Sequence, residues 1–228
     1  MYHFSLSAAE GQPLPPQRLA VPPAQRPGAN ALHLPPRSSI FLQGYGRAPQ
    51  YRVLDGCVAL SQSLPDGRRQ IIDMVGPGRL LGIGAGEHNR CSADTLSYVT
   101  LEPVGEVDHR DLEQALEEMV LRAQAHATLL GRKTAPERVA SAILDLAGQF
   151  VRPSRSKRET VCFNLHPTRG ELADWLGLTV ETVSRCFTRL KRAGLIDFRH
   201  PEIVTLLQPQ ALADIAAGNR AIDNANAA

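Results

Sequence analysis

Apolar and polar positions change their rhythm along the chain. Over residues about 32 to 107 they alternate in short runs. YRVLDGCVALSQSLPDGRRQIIDMVGPGRLLGI carries β-prone stretches broken by turn signals at Asp55-Gly56, Pro65-Asp66-Gly67 and Gly76-Pro77-Gly78. Period-two alternation bounded by Gly, Pro and Asp predicts many short strands, and TLSYVTLEPVGEVDH closes this β-rich stretch. From residue 109 the rhythm becomes helical. In RDLEQALEEMVLRAQAHATLLG the residues Leu112, Leu116, Met119, Ala123 and Leu130 recur at three- to seven-residue spacing. They fall on one stripe of a long helix, with Gly131 as its end signal. A second helix is expected from Pro136 to about Gln149, bearing ERVASAILDLAGQF.

The most informative stretch is Thr168 to Ile196, TRGELADWLGLTVETVSRCFTRLKRAGLI. It reads as helix, tight turn, helix. Ala173 is small enough to let two helices approach, Gly177 suits a left-handed turn that a Cβ opposes, and Val183 packs the second helix onto the first. Leu172, Leu176 and Leu178 supply further apolar contacts. Thr179 fits the N-cap of the second helix, its hydroxyl accepting from an orphan backbone N–H. Glu181, Thr182, Ser184 and Arg185 then lie on the outer face of its first turns, where a recognition helix meets base edges. An ordinary amphipathic hairpin shares the apolar spacing. What sets this one apart is the exposed Glu-x-x-Ser-Arg set and the basic Arg189, Lys191 and Arg192 after it, placed to run beside a phosphate backbone. Beyond Gly194, the runs LIDF and EIVTLL flank the turn RHP and predict a β-hairpin wing.

Charge sharpens this picture. The formal net charge is only +2, but it is unevenly spread. Residues 1–130 carry 11 basic against 13 acidic side chains, whereas residues 152–199 carry 10 against 5. The positive charge gathers around the helix-turn-helix. Eight of the 17 prolines lie in the first 36 residues, so residues 1–30 are expected to form an extended arm. No apolar run approaches the ~18 residues that span a bilayer, and the start of the chain lacks signal-peptide character, which implies a cytoplasmic protein without membrane contact. Cys57, Cys91, Cys162 and Cys186 are widely separated with no CxxC pair, so free thiols are expected. The residues form no catalytic triad, P-loop or metal motif and give no case for an enzyme.

The stretch from Thr168 to Ile196 resembles the DNA-binding segment of the CRP/FNR superfamily of bacterial transcription regulators. The Glu-x-x-Ser-Arg set and the upstream GRKTAPERVASAILDLA resemble its FixK-like branch. The resemblance covers roughly residues 30 to 210 and is strongest in the last third. It implies an α+β chain with an N-terminal cyclic-nucleotide-binding-type β-roll over 31–108, a long dimerisation helix over 109–132, and a C-terminal winged helix-turn-helix domain with a tail over 133–228. In the early part, IFLQGYGRAPQYRVL departs from the family's pattern. The resemblance makes Glu181, Ser184 and Arg185 the base readers of a TTGAT half-site repeated as a palindrome, consistent with Arg bonding guanine bidentately and Glu accepting from cytosine. It makes Thr168, Arg169, Thr179, Thr182, Arg189, Lys191 and Arg192 backbone contacts. Leu112, Leu116, Met119, Ala123 and Leu130 become the homodimer interface, and RNA polymerase a further partner.

The same resemblance bears on ligands. A cyclic nucleotide needs a carboxylate for its ribose and an Arg for its phosphate. Ile83 follows Gly82 where the Glu belongs, and Cys91 precedes Ser92-Ala93 where the Arg belongs; Arg90 would point to the opposite face of a strand. Cyclic-nucleotide binding is therefore not expected. An iron–sulfur centre like that of FNR is excluded because no cysteine precedes Cys57. No cofactor is expected. A regulator gated by a small molecule or haem in the roll stays open as the alternative. Cys186, directly after Arg185, has two readings: a small residue packing the helix inward, or a redox-sensitive thiol whose thiolate Arg185 favours.

Overall fold

The computed structural model describes residues 28, 30–84, 86–105, 107–151, 161–200 and 202–222. Most of the Pro-rich arm and the basic cluster Arg152 to Arg158 lie outside them.

Among the described residues eight strands precede the first helix: β1 Leu32–Leu34, β2 Ser39–Phe41, β3 Gln50–Asp55, β4 Val58–Ser63, β5 Arg69–Val75, β6 Leu80–Leu81, β7 Ser92–Thr95 and β8 Val99–Val104. They form two four-stranded antiparallel sheets, β1-β8-β3-β6 and β2-β7-β4-β5. The turn signals fall where the chain reverses. Gly56 has φ 89°, and an added Cβ there would collide with the Tyr98 carbonyl, so only glycine fits between β3 and β4. Val53, Val58, Val75, Leu81, Ala93, Val99 and Leu101 fill the space between the sheets.

The first part of strand β4 is buried on both faces, with Gln62 and Ser63 exposed at its end. Val58 and Leu60 point into the roll, while Cys57 and Ala59 join a second core with Ile71 and Met74 of β5. That second core continues through α2 (Ala135–Phe150), α3 (Arg169–Leu176) and α4 (Val180–Arg192). The β-roll and the C-terminal domain thus share one hydrophobic cluster.

Helix α1 (His109–Arg132) connects them along the chain. Gly131 does not end it: the helix runs one residue further and stops at Lys133, whose backbone is extended. One face turns inward through Glu118, Arg122 and Leu129, while the exposed Asp111 pairs with Arg52 of β3. The other bears Leu116 and Met119, 38% and 41% exposed, with Val120 and Leu121 beside them. Ala123 is exposed and Leu112 half-buried. Leu130 differs from the rest of the expected stripe, because it is partly buried against the second core.

Helix α2 begins with a capping box in which Thr134 and Glu137 satisfy each other's backbone N–H. The wing is a three-stranded sheet, β10 (Ile196–His200), β11 (Ile203–Leu206) and β9 (Val161–Asn164), in the order β10-β11-β9. The hairpin expected from LIDF and EIVTLL is β10–β11, and β9 adds a third strand along β11. Within the C-terminal domain, α5 (Pro209–Ala216), an element not expected from the sequence, buries Ala211, Leu212, Ile215 and Ala216 in the second core. Their i, i+1, i+4, i+5 spacing after a proline was a legible helix signal. Among the described residues no helix is long and apolar enough to cross a membrane.

Candidate nucleic-acid interface

Two caps set the geometry of the helix-turn-helix. Thr168 begins α3: its hydroxyl accepts from the Glu171 N–H at 3.2 Å, and its own N–H donates to the Glu171 carboxylate at 2.6 Å. Thr179 begins α4, accepting from the Thr182 N–H at 3.2 Å. Such caps are each worth ~1 kcal/mol. Between the helices Gly177 adopts φ 60°, ψ 44°, the left-handed conformation that turns the chain.

Helix α4 seats itself through Val183, Cys186, Phe187 and Leu190, all buried. This i, i+3, i+4, i+7 set fixes the opposite face outward. There Glu181 and Arg185 are exposed, and Ser184 is half-buried. Ser184, Arg185, Thr188, Arg189 and Arg192 line an open concavity of about 410 Å³. Thr188 was missed by the sequence reading, although it lies on the face defined by Glu181, Arg185 and Arg192; its hydroxyl donates to the Ser184 carbonyl at 2.9 Å. The Glu181 carboxyl is held below the usual range, first by its own backbone N–H, then by the Thr179 hydroxyl, and further by Arg185. It is therefore an ionised acceptor at the positive end of a helix.

Not every expected phosphate contact is placed alike. The Arg169 guanidinium stacks 3.5 Å from the Phe187 ring centroid, and burial pushes its pKa down to about 10. It joins α3 to α4 and remains cationic at neutral pH. Lys191 pairs with Asp197 at 2.9 Å, donates to the Phe198 carbonyl at 3.0 Å and lies over the Phe198 ring, tying α4 to the wing. Arg192 is exposed, as are Thr168 and Thr179. The Thr182 hydroxyl lies 3.0 Å from that of Thr179.

Of the two readings of Cys186, its placement in the core matches inward packing. The residue is 4% exposed, and burial pushes the thiol up, with Arg189 offsetting only part of the shift. Arg185 points outward while Cys186 points in, so the thiolate is not favoured.

In the roll, Ile83 and Cys91 are both half-buried, and the Ser92 hydroxyl accepts from the Gln43 N–H at 3.0 Å.

Residues 137–215 match the family described as the Crp-like helix-turn-helix domain. The chain is 32% identical to the nitrogen fixation regulation protein FixK of Rhizobium meliloti (strain 1021), over 92% of this chain and 97% of that one. The chain belongs to the CRP/FNR family of transcription regulators, in its FixK-like branch. It is 38% identical to FixK of Bradyrhizobium diazoefficiens over 73% of each chain. Among solved structures, FixK2 from Bradyrhizobium japonicum superposes with a TM-score of 0.73 at 28% identity, covering 81% of this chain and 96% of that one. The relatives are transcription regulators, not enzymes. As a CRP/FNR regulator with a Crp-like helix-turn-helix, the chain binds DNA through the domain that carries α3 and α4.

Proposed function

We propose that this regulator binds a TTGAT-type palindrome as a homodimer and activates transcription by presenting a surface to RNA polymerase. One observation carries the reading: Glu181, Ser184 and Arg185 share the solvent face of a helix whose opposite face is locked into the core. Arg185 is assigned to guanine, Glu181 to cytosine and Ser184 to a neighbouring base edge. Thr168, Thr179, Thr182, Arg189 and Arg192 are assigned to the backbone, with Thr188 added to the reading face. Arg169 and Lys191 act on the backbone only if they leave Phe187 and Asp197, so their first role is to hold the reading helix.

Dimerisation is assigned to Leu112, Leu116, Met119 and Ala123 of α1, with Val120 and Leu121 at the margin. A two-fold protein suits a palindromic site. Binding without a cyclic nucleotide is supported by the uncharged Ile83 and Cys91 and by the apolar filling of the roll. Redox control through Cys186 would require the thiol to leave the core. The protein would act in the cytoplasm.

The test is selection of bound sequences from random DNA, using purified full-length protein under reducing conditions without added effector. Recovery of a TTGAT palindrome supports specificity and effector independence together. Recovery of unrelated or single half-sites would overturn the assignment.

A further inference from the structure

A helix leaves its last four carbonyls without intrahelical partners. In α3 these belong to Ala173, Asp174, Trp175 and Leu176, and their partners come from three parts of the chain. The Ala173 carbonyl accepts from the Gly177 and Leu178 N–H groups of the turn itself. The Leu176 carbonyl accepts from Arg138 of α2 at 2.9 Å; the same guanidinium also donates to the carbonyls of Leu130 and Lys133 at the end of α1. The two middle carbonyls are taken by Gln70 of β5, 104 residues before Asp174. Its amide nitrogen lies 2.6 Å from the Asp174 carbonyl and 3.1 Å from that of Trp175. It also lies 2.9 Å from the Ile71 carbonyl, so two hydrogens are shared among three acceptors. Beside it, Arg69 pairs with the Asp174 carboxylate at 2.9 Å.

We infer that Gln70, supported by Arg69, is a positioning residue for DNA recognition. It holds the C-terminal end of the scaffold helix against the β-roll and so sets where α4 stands in the dimer. The chemistry suits the place. The carbonyl end of a helix carries partial negative charge, and a neutral amide donates to it without the desolvation cost of burying an ion. The mechanics follow from the connections. Helices α3 and α4 move as one body, because Leu172, Ala173, Val183 and Phe187 share their core. Only Lys133 and Thr134 separate α1 from α2. The contact with β5 therefore limits rotation of the reading domain about that joint. Half-site spacing is set by the distance between recognition helices, so a looser contact widens the range of spacings accepted. This rests on the proposed reading of the chain as a palindrome-binding dimer.

The experiment measures binding of the full-length protein to duplexes whose two selected half-sites stand at the preferred spacing, or one base pair nearer or farther. For Gln70→Leu, binding at the preferred spacing should weaken about tenfold, the scale expected when carbonyl acceptors are orphaned. Binding at the other two spacings should change less than about threefold, since a looser domain is not penalised there. Arg69→Asp should act in the same direction by about threefold, as an exposed pair does, and adding Asp174→Arg should restore the original profile. The exchanged pair also carries the test if Gln70→Leu fails to fold. Equal weakening at all three spacings would reduce Gln70 to a general stabiliser and overturn the inference, as would an unchanged profile. A wild-type protein without palindrome preference would instead overturn the reading beneath it.

Discussion

Arg122 of α1 reaches Asp73 of β5 at 2.7 Å, with the two side chains 19% and 13% exposed. The same guanidinium grips Asp145 of α2 at 2.7 Å, and Asp73 also pairs with Arg79 at 2.8 Å. Roll, long helix and second helix therefore meet at one ionic junction. Removing one partner of a buried pair strands the others and typically costs ~3–5 kcal/mol. Arg122→Ala should lower unfolding stability by about that amount in urea melts, with Arg122→Met losing less because its stem still packs. Burial pushes the Asp73 carboxyl up, but Arg79 and Arg122 outweigh it and hold the group below its ordinary value. A depressed carboxyl lends stability above about pH 4 and loses it as pH falls through the folded value. Asp73→Asn should flatten the acid arm of the stability profile; an acid arm as steep as the native one would show that the junction carries no such linkage.

Arg185→Ala should cost about 1–3 kcal/mol at the preferred site and relax the preference at one guanine. Arg189→Ala should weaken all sequences alike and lower the salt slope by about 1. Binding isotherms at several salt concentrations on matched and mutated duplexes separate the two. Intact sequence preference in Arg185→Ala would refute its role as a reader.

The exposed face of α1 should govern assembly. Met119→Glu places a charge in the apolar stripe with Leu116, and the protein should sediment as a monomer and lose most of its affinity for the full palindrome. A dimer that survives the substitution would place the interface elsewhere.

Millimolar cyclic AMP should leave the thermal midpoint and DNA affinity unchanged. A ligand that binds only the folded state must raise the midpoint by mass action, so a clear upward shift would contradict the reading drawn from Ile83 and Cys91.

Cys186 should behave as a core side chain. In the native protein its thiol should react with a thiol reagent far more slowly than after unfolding, because the reactive thiolate is both buried and disfavoured. Cys186→Ser should keep DNA binding at a modest cost in stability. Rapid native labelling, together with a peroxide-dependent loss of binding that Cys186→Ser abolishes, would establish the redox switch instead.

What the sequence determined is local. The caps at Thr168 and Thr179, the left-handed turn at Gly177 and the seating set from Val183 to Leu190 act over at most a few helical turns. Residue type and spacing are enough to read them, and with them the outward face of Glu181, Ser184 and Arg185. The tertiary structure decided everything that joins distant segments. Burial of the first part of β4 on both faces, the third wing strand at Val161–Asn164 and the docking of Gln70 on α3 depend on which surfaces meet after collapse. The same holds for single side chains. Arg169 and Lys191 are basic residues at positions suited to phosphate, yet Phe187, Asp197 and Phe198 lie within reach and engage them first. Cys186 follows an exposed arginine in the chain but turns about 100° from it around the helix, and that rotation puts the thiol in the core.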